Sequence, residues 1–359
     1  MPRKKTNVWL SGLDLLSSLT VARPKKRKNV ARKPPMVKTA RPVATKRVGK
    51  PRTGRPPSMR AAGRWIRSFH SAPPLAGRLV NHLTYALYLP ATAAVPAELP
   101  LVVMLHGCRQ TVESFAAGTR ICRLADRAGF AVLLPEQAKT AHPHRCWHWH
   151  ENLTHSEAPA VASLVAAIVR EHGFNHQRVY LAGISAGAGL AAVLGIHYPA
   201  LFAAVGLHSG PVFGVTSSAM TAMRVMRNGS REDPLRLIEA SVDVSSYPGM
   251  PAIIVHGELD AVVAKRNAAQ LGVEFARLNQ LVDAQGALRV GEQRTYTRDA
   301  VDYVDFLKAG RLVVRICIVR GLGHAWSGGD PREAFHSDKG PDATAKLWDF
   351  FRRQRRGDA

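Results

Sequence analysis

Residues 181–199 read LAGISAGAGLAAVLGIHYP, and one serine, Ser185, sits in them among Gly183, Ala186, Gly187 and Gly189. The residues before it, RVYLAGIS (178–185), form a short apolar run of strand character. The residues after it, 186–197, carry a helical pattern. Gly183-Ile184-Ser185-Ala186-Gly187 is therefore a G-x-S-x-G set between a predicted strand and a predicted helix. A sharp turn at that junction lifts a serine hydroxyl off the sheet edge. Strand and helix pass so closely there that the residues two positions to either side must lack bulk. The turn also aims the amide of the next residue, Ala186, at the place where an oxyanion would form.

Working outward, the same alternation of element types recurs. HLTYALYLP (82–90) alternates like a strand, and LPLVVMLHG (99–107) and FAVLLPEQ (130–137) are buried strands separated by a helical stretch at 113–128. A helix is expected over 157–172, a strand over 202–210, and a strand over 250–260 that runs into a loop. A helix follows at 264–279, then a hairpin joining Tyr303–Lys308 to 311–321, and a last amphipathic helix at 341–353. Strands apolar on both faces and separated by helices predict an α/β domain with a mostly parallel sheet. Residues 211–249 read as an insertion or cap.

A serine hydroxyl needs a base, and the base needs an orienting acid. Where the nucleophile sits on a strand-to-helix turn, the chain order is serine, acid, histidine. Asp260 follows the strand PAIIVHGELD, and His324 lies in RGLGHAWSGG just past the last strand. Both fall at strand C-terminal ends, where open α/β sheets place their chemistry. Asp243, Asp283 and Asp305 compete for the acid role, but none follows a convincing buried parallel strand. The second oxyanion donor is expected from the loop LHGCRQ (105–110), at the Cys108 amide, with a plain strand-ending turn as the alternative.

The charge is uneven. Residues 1–70 hold 20 Lys/Arg and one acid, a net +19, which leaves +5 of the total +24 for the other 289 residues. A basic, proline-rich segment cannot bury enough surface to offset its ordering entropy, so residues 1–75 are expected to be disordered, ahead of a catalytic domain at 76–355. An amphipathic surface helix is read near 7–20, in preference to a cleaved secretory signal. The basic segment reads either as a solvated linker or as attracted to a polyanion, a membrane or a granule surface. No run reaches the ~20 apolar residues needed to span a bilayer. Four cysteines match no zinc spacing and do not fix the redox compartment.

The blocks PLVVMLHGCRQTVESFAAGTR, HRCWHWH, YLAGISAGAGLAAVLGIHYPALFAAVGLHSGP, VHGELDAVV and GLGHAWSGGD occur in this order. Together they resemble the poly(3-hydroxybutyrate) depolymerase family of esterases, within the α/β-hydrolase superfamily, from about residue 80 to 353. The resemblance implies an α/β-hydrolase fold with Ser185 as nucleophile, Asp260 as acid and His324 as base, without metal or other cofactor. It implies a disulfide between Cys108 and Cys146 that fixes the oxyanion loop. It also implies Trp147, Trp149 and Trp326 as substrate-binding residues, with plain core packing as the other reading of Trp147 and Trp149. Five histidines at 142–155 look like a metal cluster, but their spacing matches no known site.

The expected function is a serine esterase acting on 3-hydroxyalkanoate polyesters or their oligomers. A small-ester or feruloyl/acetyl-carbohydrate esterase is the nearer alternative. A granule- or polyanion-binding protein on a vestigial hydrolase scaffold is the more distant one. The family is commonly secreted, and a cytoplasmic or granule-associated location is the alternative where the N-terminus is no signal.

Overall fold

The structure, a computed structural model, describes residues 61–72, 81–91, 96–214 and 218–357. The amphipathic helix expected at 7–20 and the basic stretch 23–60 lie outside these residues.

Ten strands form one sheet in the order β1-β2-β4-β3-β5-β6-β7-β10-β9-β8. The central six are parallel: β4 (Ala131–Glu136), β3 (Leu101–Leu105), β5 (Val179–Ile184), β6 (Ala204–His208), β7 (Ala252–Gly257) and β10 (Arg311–Val319). Antiparallel strands extend both sides, β2 (His82–Leu89) and β1 (Arg64–Ser71) on one, β9 (Val301–Lys308) and β8 (Glu292–Arg298) on the other. Every residue of β3, β4, β5, β6 and β7 is buried, as continuous apolar runs covered on both faces require.

Eight α-helices, among the described residues, divide between the two faces and a cap. The helices α3 (Ala158–His172), α4 (Ala186–His197) and α7 (Arg266–Leu278) share one apolar cluster with one sheet face. The other face packs α1 (Val112–Thr119), α2 (Ile121–Ala128) and α8 (Ala343–Phe351). On α8, Phe351 stacks on Tyr180 of β5 with ring centroids 5.0 Å apart. Truncating such a fully buried ring to alanine costs about 3–5 kcal/mol. The stretch 211–249 contains two short helices, α5 (Ala219–Asn228) and α6 (Pro234–Ser241), both laid against α7. Among the described residues, no helix is long and apolar enough to cross a membrane.

Two expectations need correction. The boundary at residue 75 falls too late, because β1 pairs along its whole length with β2, from Arg64↔Leu89 to Ser71↔His82. Its approach is fixed by the Gly63 amide, which donates to the Tyr88 hydroxyl (2.7 Å). The single helix expected at 113–128 is two helices, because Arg120 adopts φ 56° and ends the first.

Candidate active site

The apolar strand β5 runs straight into α4, and the turn between them falls on one residue. Ser185 has φ 57° and ψ −123°, a backbone conformation that costs a non-glycine residue about 1–3 kcal/mol and is held only where its surroundings impose it. Those surroundings are visible. A Cβ on Gly183 would overlap the Gly187 backbone, and one on Gly187 would overlap the Leu105 and His106 carbonyls. The Ser185 amide donates to the His208 carbonyl (3.0 Å), and the Ser185 carbonyl accepts from Gly189 (3.0 Å). The residue remains 9% exposed, at the C-terminal edge of the sheet.

The loop after β3 lies beside this turn. The Gly107 amide is occupied by the Gln110 side-chain oxygen (2.8 Å), and the Gln110 amide group donates onward to the Ala334 carbonyl. Cys108 is joined to Cys146 by a disulfide, with Cα atoms 4.4 Å apart. Next to that bond the Arg109 amide donates to the His144 carbonyl (2.6 Å), and the Trp147 indole donates to the His106 carbonyl (2.9 Å). His106 is fully buried and donates from Nδ1 to its neighbour's carbonyl, while Nε2 accepts the Gln137 amide (3.1 Å). Burial pushes its pKa down to about 4, so the ring is neutral. Among the described residues the amides of Cys108 and Ala186 find no acceptor, and the helix start at Ala186 leaves its N–H unpaired by construction.

Asp260 and His324 meet on the other side. His324 Nδ1 lies 2.8 Å from Asp260 Oδ2, and Asp260 Oδ1 accepts the amides of Val262 (3.0 Å) and Val263 (2.8 Å). Burial alone would raise the Asp260 pKa. The hydrogen bond and charge of His324, with His256 and the Val263 amide, outweigh it, and the pKa is lowered. An ionised Asp260 fixes the His324 proton on Nδ1 and leaves Nε2 with a free lone pair. His256, wholly buried on β7, donates from Nε2 to the Val263 carbonyl (2.8 Å) and so props the turn that bears Asp260. The three rival aspartates act elsewhere. Asp243 binds Ser245 and Ser246, Asp283 closes the turn to Ala287, and Asp305 pairs with Arg315.

The tryptophans divide. Trp149 borders a cavity of about 340 Å³ with His150, Gly189, Val193, His197 and Phe213. Gly189 is one helical turn beyond Ser185, so this cavity opens beside the helix that follows Ser185. Trp147 and Trp326, expected at the substrate, are 1% and 0% exposed. Each spends its indole N–H on the scaffold, Trp147 on His106 and Trp326 on the Thr344 hydroxyl (3.0 Å), so neither is a substrate wall. Two of the histidines at 142–155 hold the loop itself. His142 Nδ1 accepts the amides of His144 and Cys146, and His148 pairs with Glu157 (2.6 Å). Among the described residues, no group of three or more His, Cys, Asp and Glu side chains could hold a metal ion. Sequence reading missed the roles of Gln110, His106, His208 and His256. His208 reaches Ser327, 119 residues away, and Gln110 reaches Ala334, 224 away, while the bonds of His256 to Val263 and of Gln110 to Gly107 are local but carry no sequence motif.

A parallel sheet flanked by helices, with a strained serine turn at its C-terminal edge, defines an α/β-hydrolase. The solved acetyl xylan esterase from Aspergillus awamori shares this fold, with a TM-score of 0.61, 17% identity, and coverage of 80% of this chain and 99% of that one. The profile of the family described as Esterase PHB depolymerase matches residues 83–299, and the chain belongs to that family. It is 30% identical over 190 residues to poly(3-hydroxyalkanoate) depolymerase C of Paucimonas lemoignei, across 51% of this chain and 46% of that one. It is 29% identical over 147 residues to feruloyl esterase B of Thermothelomyces thermophilus, across 40% and 50%. The chain thus spans half or less of the length of these curated relatives.

Proposed function

We propose that the protein is a serine carboxylic-ester hydrolase acting on 3-hydroxyalkanoate oligomers or polyesters. The observation that carries this reading is the 2.8 Å Asp260–His324 pair on the same sheet edge as a strained Ser185, with the amides of Cys108 and Ala186 unpaired among the described residues. Ser185 Oγ attacks the ester carbonyl while His324 Nε2 takes its proton, and Asp260 stabilises the imidazolium. The negative oxygen accepts from the Cys108 and Ala186 amides, each donor supplying on the order of 10²-fold in turnover. The C–O bond to the alcohol breaks, and the alcohol leaves with the proton held by His324. His324 then deprotonates a water that attacks the acyl-enzyme; the carboxylic acid departs and Ser185 regains its proton.

The depolymerase relative supports the hydroxyalkanoate substrate, and the apolar cavity walls Trp149, Val193 and Phe213 suit a short acyl chain. A feruloyl- or acetyl-carbohydrate substrate is the second reading. It is favoured by the polar residues His150, Glu151, Asn152 and His197 in the same cavity. The test is a hydrolysis panel of 3-hydroxybutyrate trimers, p-nitrophenyl butyrate and feruloyl sugars with wild type and Ser185→Ala. Trimer cleavage with the highest kcat/KM, lost in the variant, is expected. Turnover surviving in purified Ser185→Ala would exclude the mechanism, and a higher kcat/KM on feruloyl sugars would transfer the assignment to the second reading.

A further inference from the structure

β6 carries no member of the proposed triad, yet it lies between the strand that ends at Ser185 and the strand that leads to Asp260. Its last residue, His208, pairs with Ile184 on one side and Val255 on the other. The ring is wholly buried and stacks on Trp326, with centroids 4.9 Å apart at 20°. Burial, with the nearby His256 and His324, pushes its pKa down to about 3, so it stays neutral. Two of its atoms reach the catalytic line from opposite directions. Its carbonyl accepts the Ser185 amide (3.0 Å), and its Nε2 accepts the Ser327 amide (3.2 Å), three residues past His324.

The second bond stands out against its neighbours. The amides on either side, of Trp326 and Gly328, donate to backbone carbonyls, those of Phe335 and Lys339. Ser327 alone of the three donates to a side chain, the His208 ring. That donor is buried, and without an acceptor it would cost about 1–3 kcal/mol. An imidazole at 208 satisfies it with the ring nitrogen furthest from the backbone. Nδ1 then carries the proton, beside the Ser209 hydroxyl at 3.3 Å.

We infer that His208 is a positioning residue that sets His324 against Ser185, by holding the nucleophile turn through its carbonyl and the histidine loop through Nε2. The inference rests on the esterase reading of the site. Catalysis is sensitive to this spacing, since a displacement of about 1 Å in a reacting group can cost 10²-fold in rate. The ring itself does not touch the substrate.

Three substitutions separate the tether from mere packing. His208→Phe keeps a flat ring and removes the acceptor. His208→Asn places an amide at the Nδ1 position, too short to reach Ser327. His208→Gln returns an acceptor at the Nε2 position. Activity on p-nitrophenyl butyrate is referred to active sites counted with a fluorophosphonate, so misfolded protein does not enter. His208→Phe and His208→Asn are expected to lose roughly 10- to 100-fold in kcat with KM little changed, and His208→Gln to recover much of that loss.

Amide exchange at Ser327, read by NMR, tests the tether without reference to activity. Protection should persist in wild type and His208→Gln and fall in His208→Asn. Unchanged kcat per site in the Phe and Asn variants, or equal behaviour of Asn and Gln in both assays, would overturn the inference. If His208→Phe fails to fold, the Asn–Gln pair decides. Ser185→Ala distinguishes the two levels: activity that survives it sinks the esterase reading, while the exchange result still decides the tether.

Discussion

The two sides of the candidate site are held by different chemistry. On the oxyanion side, the loop 106–110 is fastened to 142–147 by a disulfide, a backbone hydrogen bond and an indole hydrogen bond. On the acid–base side no disulfide is present among the described residues. Asp260 and His324 ride on loops propped by buried imidazoles, His256 under the Val263 turn and His208 under Ser327. The first side can be opened by a reductant. The second resists a reductant and depends on the protonation states of its own groups. The serine between them is shared, strained, and held by glycines that admit no substituent.

The largest effect should come from breaking the acid–base side alone. Asp260→Asn keeps the shape but lets the His324 proton settle on the wrong nitrogen, and kcat should fall by about 10⁴-fold. The Cys108–Cys146 bond should remain intact in that variant, which a mass measurement of the unreduced protein checks. A loss of less than about tenfold would remove Asp260 from the triad.

Opening the other side should do less to chemistry and more to stability. The disulfide closes a sequence separation of 38 residues, and in the chain-entropy picture such a link contributes at most about 4 kcal/mol. Cys146→Ser should therefore lower the unfolding free energy by about 2–4 kcal/mol in a urea titration. Its kcat should fall by no more than the roughly 10²-fold of one oxyanion donor. An unchanged denaturation midpoint would show that the loop is held by its hydrogen bonds alone.

The smallest effect separates both sides from the cap. Glu274 of α7 is wholly buried, with one carboxyl oxygen accepting the Phe213 amide (3.3 Å) and the other unpartnered. Burial raises its pKa well above the usual 4.5, so the folded carboxyl stays neutral where the unfolded chain ionises. The stability it permits is complete below that ordinary value and is lost as the pH rises toward the folded one. Asp260 runs the other way: with a lowered pKa, its contribution is present at neutral pH and lost only as the pH falls through the folded value. Glu274→Gln should raise Tm at pH 8 by roughly 2–4 °C, equivalent to about 1 kcal/mol, and by less at pH 5, with kcat unaltered. An equal gain at both pH values would mean that the carboxyl is not the cause.

The same contrast explains what the sequence discloses. The parallel strands are readable because both faces are buried, and the serine turn because its neighbours must be small. Asp260 and His324 are readable because strand ends are where such groups belong. β8, EQRTYTR, buries neither face and lies at the sheet edge, so it has no hydrophobic period to find. β1, RWIRSFHS, lies beside the basic segment and is mostly exposed. Trp147 and Trp326 have the composition of a binding wall, and only their hydrogen-bond partners show them to be scaffold. His208 is opaque for the same reason, since its side-chain partner is 119 residues away.

The central claim is that the Ser185 hydroxyl is activated by His324, itself oriented by Asp260. A fluorophosphonate reacts only with a serine so activated, and peptide mass analysis locates the adduct. Labelling confined to Ser185, and abolished in His324→Ala, is the predicted result. Labelling at another serine, or at Ser185 with undiminished rate in His324→Ala, would contradict it.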